Sequence, residues 1–200
     1  MRVGANVLPM TRGIKGEVMQ PERIVSIVSI VKVTDTGSSL WGEMMSLYAA
    51  AFPYEERRDA AEQDRVMKNP SYHTDAVMRE GKFVGILFYW EREDYVYLEH
   101  FAILPAERNR GIGAEALELL GQKEKTVLLE IEIPSDELTT RRLHFYERNG
   151  FVMNPYRHIQ AKYHRGDADL ELKIMSRPAV LPPDLYASFY DYMTREIGIQ

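Results

Sequence analysis

Residues 97 to 120 read YLEHFAILPAERNRGIGAEALELL. A strand running to Ile103 meets a turn at Pro105, and a glycine-punctuated loop then opens into a helix. Arg108, Gly111 and Gly113 form an R-x-x-G-x-G array that also holds Asn109, Arg110 and Ile112 and runs into Ala114. Glycines at a helix start leave backbone N–H groups uncovered, so an anion can approach them closely. Those amides have no partner inside the helix, and the macrodipole adds about half a positive charge at that end. Arg108 and Arg110 bring two permanent charges to the same turn. The stretch therefore predicts a diphosphate cradle fed by a strand. Gly-x-Gly at such a turn also arises from geometry alone, so the array by itself leaves phosphate binding and plain turn formation equally open. It lacks the G-K-[ST] of a nucleotide P-loop, and Ala116 stands where a dinucleotide fingerprint has its third glycine.

Working outward, the pattern predicts strands at 24–33, 72–79, 83–91, 95–103, 127–133, 151–154 and 169–176. Helices are expected at 39–51, 56–67, 111–123, 138–149 and 184–197. Pro53 disfavours helix at the residue before it, Glu80-Gly81-Lys82 reads as a hairpin turn, and Asn149-Gly150 as a helix stop. An antiparallel meander followed by a βαβα run implies α+β or mixed α/β.

A strand at 127–133 and a helix ending in Phe145-Tyr146-Glu147-Arg148-Asn149-Gly150-Phe151 follow the glycine loop by about thirty residues. Across roughly residues 24 to 176 the chain resembles the GCN5-related N-acetyltransferase (GNAT) superfamily. Its [R/Q]-x-x-G-x-[G/A] loop matches Arg108 to Ala114, and its [L/F]-Y-x-x-x-G-F end matches Tyr146, Gly150 and Phe151. The resemblance implies an α+β, three-layer fold: a central, mostly antiparallel sheet with helices on both faces and one splayed strand pair. It implies acetyl-CoA as co-substrate, its pyrophosphate on the amides of Asn109, Arg110, Gly111, Ile112, Gly113 and Ala114. The pantetheine arm would pair with strand backbone at Phe101 and Ile103, and Arg108 would support the turn or touch phosphate. Tyr146 falls on the family's tyrosine and would protonate the coenzyme thiolate or hold its sulfur, the alternative being a ring that only packs between helix and sheet.

Strand alternation puts Tyr95, Tyr97, Glu99, Phe101 and Ile103 on one face and His100 on the other. Glu99 is then a candidate general base, provided burial raises its pKa towards the working pH, with a partner for the substrate ammonium or a structural hydrogen bond as the equal alternative. Glu130 and Glu132 share a face of the next strand, and one of them could reach the acceptor groove. Thr139 or Ser135 stands where many family members carry Asn, and Arg142 where Ala is common, with Glu137 and Arg141 spaced as an i,i+4 pair. The segment Phe52 to Arg58 suits either an acceptor rim or an ordinary solvated loop.

Two hundred residues suffice for one domain with a sizeable core. Residues 1–20 read as a loose arm, 24–176 as the acetyltransferase-like domain, and 177–200 as a linker and helix packing on that domain or, alternatively, on a second copy. The chain has no cysteine, which excludes disulfides and thiolate catalysis and fits a reducing, cytoplasmic setting. A net charge of −5 with no basic stripe argues against nucleic acid. The run Ile24 to Val33 is too short to span a membrane. His73, His100, His144, His158 and His164 form no metal-ligand pair, so no metal is expected. The expected function is acetyl transfer from acetyl-CoA to an amine of a small molecule or peptide in a ternary complex. The alternatives are a non-catalytic coenzyme-binding module of the same fold and a phosphate-binding α/β protein of another class.

Overall fold

The computed structural model describes residues 28–198. The expected N-terminal arm, and the start of the first strand at Ile24, lie outside these residues. Eight strands form one sheet in the order β1 (Val28–Lys32), β2 (Tyr72–Arg79), β3 (Lys82–Glu91), β4 (Tyr95–Ile103), β5 (Thr126–Glu132), β8 (Glu171–Arg177) and β6 (Val152–Met153). The short β7 (His158–Ile159), which nothing in the pattern announced, pairs with β8. Every pairing is antiparallel except β4 with β5.

Helices cover both faces because the strands carry apolar side chains on both. On one face α1 (Ser39–Ala51) and α5 (Pro183–Tyr192) bury Met44, Leu47, Tyr48, Phe189 and Tyr192 against Phe88, Trp90, Tyr95 and Tyr97. On the other, α3 (Ile112–Gly121) and α4 (Glu137–Arg148) bury Ile112, Leu117, Leu120 and Tyr146 against Leu87, Leu98, Leu129 and Ile131. Phe189 is fully buried, its ring 5.0 Å from Tyr97 and 5.9 Å from Tyr95, so the aromatic stripe of α5 covers its own sheet.

Two departures from the sequence pattern shape the site. The helix expected at 56–67 is split into a single turn at Tyr54–Glu56 and α2 (Ala60–Val66). Asp59 accepts a bond from the amide of Glu62 and starts α2 afresh, while Arg57 before it is extended. That break turns Arg58 inward. The second departure is a β-bulge: Tyr89 pairs with Leu98 but Phe88 with His100, leaving Glu99 as the extra residue on β4. One inserted residue reverses the alternation beyond it. Tyr95, Tyr97 and His100 consequently share the α1/α5 face, and Phe101 and Ile103 pack with the α3/α4 cluster. His100 is thus on the same side as Glu99, with Nδ1 3.7 Å from its carboxylate, which corrects the opposed orientation expected from strict alternation.

Candidate active site

Strands β4 and β5 stay paired only from Tyr95–Thr126 to Leu98–Leu129. Beyond that point they part, and a cleft of about 1060 Å³ opens between them, lined from both faces of the sheet. The amide of Leu104 donates to Val84 on β3, so the backbone groups of the odd-numbered neighbours Ile103 and Phe101 point away from β3, towards the opening.

The glycine loop forms one wall of the cleft. Gly111 caps α3 at φ 79° without a side-chain bond, and Asn109 before it also has positive φ at 63°. The first helical bond runs from Glu115 to the carbonyl of Gly111, so the amides of Ile112, Gly113 and Ala114 have no partner within the helix. A Cβ at Gly113 would lie 3.2 Å from the ring of Phe145, so the bare backbone is also what lets α3 approach α4. The loop's charged side chains brace it. Arg108 donates to the carbonyl of Ile103 at 3.0 Å, Arg110 pairs with Glu107 at 3.1 Å, and Asn109 accepts from Arg141 at 2.8 Å. Arg141 therefore reaches across to the loop instead of pairing with Glu137. Arg142 pairs with Glu132.

Tyr146 lines the cleft from α4, its ring held edge-on by Phe145 and Phe151. No group among the described residues bonds its hydroxyl. Burial pushes the phenol up to about 12, so it carries its proton throughout the neutral range. Thr139 is engaged at the start of its own helix. Its Oγ1 accepts from the amides of Ser135 and Asp136 and closes a capping box with Asp136 that starts α4.

Glu99 is fully enclosed. Arg58 grips both its oxygens, at 2.6 and 2.8 Å, the Trp90 indole donates at 3.0 Å and Tyr163 at 2.9 Å. Burial alone would raise its pKa, but Arg58, His100 and the hydrogen bonds outweigh burial and hold it below the ordinary carboxylate value. The raised pKa that a base at this position requires is not what the surroundings produce.

Glu130 sits one residue past the last β4–β5 pair, on the α1/α5 side, and its carboxylate is 6% exposed. It accepts from Tyr97 at 2.9 Å and Gln160 at 3.1 Å, and contacts the fully buried His158 at 2.5 Å. Glu56 lines the same part of the cleft, its pKa raised by burial and by Glu132 and Glu130. With Phe52 and Pro53 it makes the Phe52–Arg58 segment a wall of the cleft, while Arg58 itself points into the core. The contact of His158 with Glu130 was hidden in the sequence, because 28 residues separate the two and β7 is only two residues long.

Comparison with known proteins accords with this geometry. The family model for the acetyltransferase (GNAT) family matches residues 41–151, more than half of the chain. The chain belongs to that family. The Bacillus subtilis (strain 168) protein YjbC is 34% identical over 116 residues, 56% of this chain and 56% of its own length, so the chain spans just over half of that relative. A solved GNAT-family protein from Bacteroides thetaiotaomicron is 27% identical and superposes with a TM-score of 0.79 over 86% of this chain and 99% of its own. An aminoglycoside 6′-N-acetyltransferase solved with coenzyme A is 17% identical with a TM-score of 0.55, over 78% and 99% of the two chains; at that identity the likeness is one of fold.

Proposed function

We propose that this chain moves the acetyl group of acetyl-CoA onto a primary amine of a small molecule or peptide by direct attack in a ternary complex. One observation carries the reading. The parted β4 and β5 open a single cleft that holds both the bare amides of α3 and the free hydroxyl of Tyr146. Three consecutive unpartnered amides at a helix start suit a pyrophosphate, and Gly113 leaves no side chain in its way. The outward backbone edge at Phe101 suits an extended amide arm added as a strand. Ile103 offers its edge only in part, since Arg108 takes its carbonyl.

Tyr146, protonated and otherwise unbonded, donates to the sulfur as the thioester C–S bond breaks. The chain has no cysteine to carry an acyl group as a thioester, which agrees with direct attack of the amine on the thioester carbon. Glu56, Glu130 and Glu132 line the acceptor end and favour a cationic amine there. Calorimetry with coenzyme A, followed by thiol release from acetyl-CoA against an amine panel, tests the proposal. Saturable binding with amine-dependent release is expected. Binding without release for any amine refutes catalysis in favour of a coenzyme-binding module.

A further inference from the structure

Two carboxylates stand where the strands part, and their partners differ in a way that decides which can take a proton. An ionised carboxylate offers about four lone-pair sites. Glu99 fills them with four donors, the strongest a guanidinium that keeps its charge. Glu130 accepts two bonds on Oε2, from Tyr97 and Gln160, and faces His158 Nε2 on Oε1, so one site is left on a group lining the cleft. Building on the transferase reading above, we propose that Glu130 and His158 together take the proton of the acceptor amine, with Tyr186 of α5 positioning the imidazole.

The hydrogen-bond count supports a relay. The Tyr186 hydroxyl donates to the carbonyl of Arg157 at 3.2 Å, so its oxygen is free to receive Nδ1–H of His158, also at 3.2 Å. The imidazole's other nitrogen, Nε2, meets Glu130 across 2.5 Å, close enough that one proton lies between them, and the pair becomes a base once that proton has left to water. Phe189 stacks on the ring at 5.9 Å and Tyr190 meets it edge-on at 5.7 Å. The side chains that fix the imidazole thus come from α5, beyond the residues 41–151 that the family model matches.

The step balances. A primary ammonium gives one proton to Glu130, which shares it with His158, and the freed nitrogen forms the C–N bond as the C–S bond breaks. The sulfur takes the phenolic proton of Tyr146. The second amine proton, lost as the amide forms, restores that phenol through solvent in the cleft, and the proton on the pair leaves to water. One ammonium and one thioester give one amide, one thiol and one proton.

Other ionisable groups also face the pair: Tyr97 and His100 on β4, Tyr186 and Tyr190 on α5, and Glu56, which in turn meets Glu132 on β5 and Arg142 on α4. Of these, Tyr97 bonds Glu130 directly, and burial with the nearby carboxylates keeps its phenol protonated. His158 is the one bonded partner of a type that exchanges protons near neutrality.

The test compares wild type, Glu130→Gln, His158→Gln and Tyr186→Phe by calorimetry with coenzyme A and by acetyl transfer across the neutral pH range. Glu130→Gln and His158→Gln are each expected to lose about 10²–10³-fold in kcat, the size of a general-base effect, with coenzyme affinity kept. His158→Gln also moves the acidic limb of kcat/KM to lower pH, since the proton then rests on a lone carboxylate. Tyr186→Phe moves the limb the same way with a smaller loss, about tenfold. An unchanged limb and kcat in His158→Gln, with coenzyme still bound, overturns the proposal. If that variant fails to fold, the near-isosteric Glu130→Gln decides, and retained turnover there overturns it equally. Wild-type protein that binds coenzyme A but acetylates no amine overturns the transferase reading and this role with it, whereas turnover retained in both Gln variants overturns this role alone.

Discussion

Glu99→Gln removes a charge from a pocket closed to bulk solvent. The side chains of Glu99 and Arg58 are 0% and 2% exposed, and the guanidinium has no other carboxylate partner among the described residues. Deleting one member of such a pair strands the other, a loss of about 3–5 kcal/mol. Against the roughly 5–15 kcal/mol that separates folded from unfolded chains, that is a large share. At about 2–4 °C per kcal/mol for a chain of this size, the melting temperature should fall by roughly 6–20 °C. The same charge makes stability depend on acid. Because the folded-state pKa of Glu99 lies below its ordinary value of 4.5, its contribution is present above that pH and is lost as pH falls through the folded value. Calorimetric melting of both proteins at neutral pH and in acid reads this directly, the gap between them narrowing in acid. A variant that melts with the wild type, yet has lost turnover along with the acidic limb of its pH–rate profile, would refute the structural role and return Glu99 to duty as the base.

Tyr146→Phe should lower kcat by about 10²-fold while leaving coenzyme affinity nearly intact, because the hydroxyl acts chiefly in the transition state; steady-state kinetics beside calorimetry checks both halves. Gly111→Val places a branched side chain at φ 79°, where β-branched residues are strained, and should weaken coenzyme binding at least tenfold by disordering the cradle, measured by calorimetry. Phe189→Ala empties a fully buried site against Tyr95, Tyr97 and His158 and should cost about 3–5 kcal/mol in chemical denaturation.

Much of the fold was legible because its signals are local. Ser39–Ala51, Tyr72–Arg79 and Tyr95–Ile103 have the bounds that pattern and punctuation suggest. The cradle was equally readable, since a left-handed Gly111 and uncovered amides follow from residue type and a helix start. Alternation, by contrast, misplaced His100, Phe101 and Ile103 relative to Glu99, because a bulge is fixed by pairing with β3 and leaves no mark in β4 itself. The helix drawn through Arg58 failed for a similar reason: the inward turn of that residue is stabilised by Glu99, 41 positions away.

The sequence by itself determined the glycine loop with its uncovered amides and the helix that carries Tyr146, since both depend on short motifs whose backbone geometry is set within a few residues. Only the tertiary structure decided which partners surround each carboxylate where the strands part. Glu99 and Glu130 are alike in sequence, and each meets partners brought from distant segments, Arg58 for one and His158 for the other. Charge balance in a buried site is a sum over spatial neighbours, and folding alone brings those neighbours together.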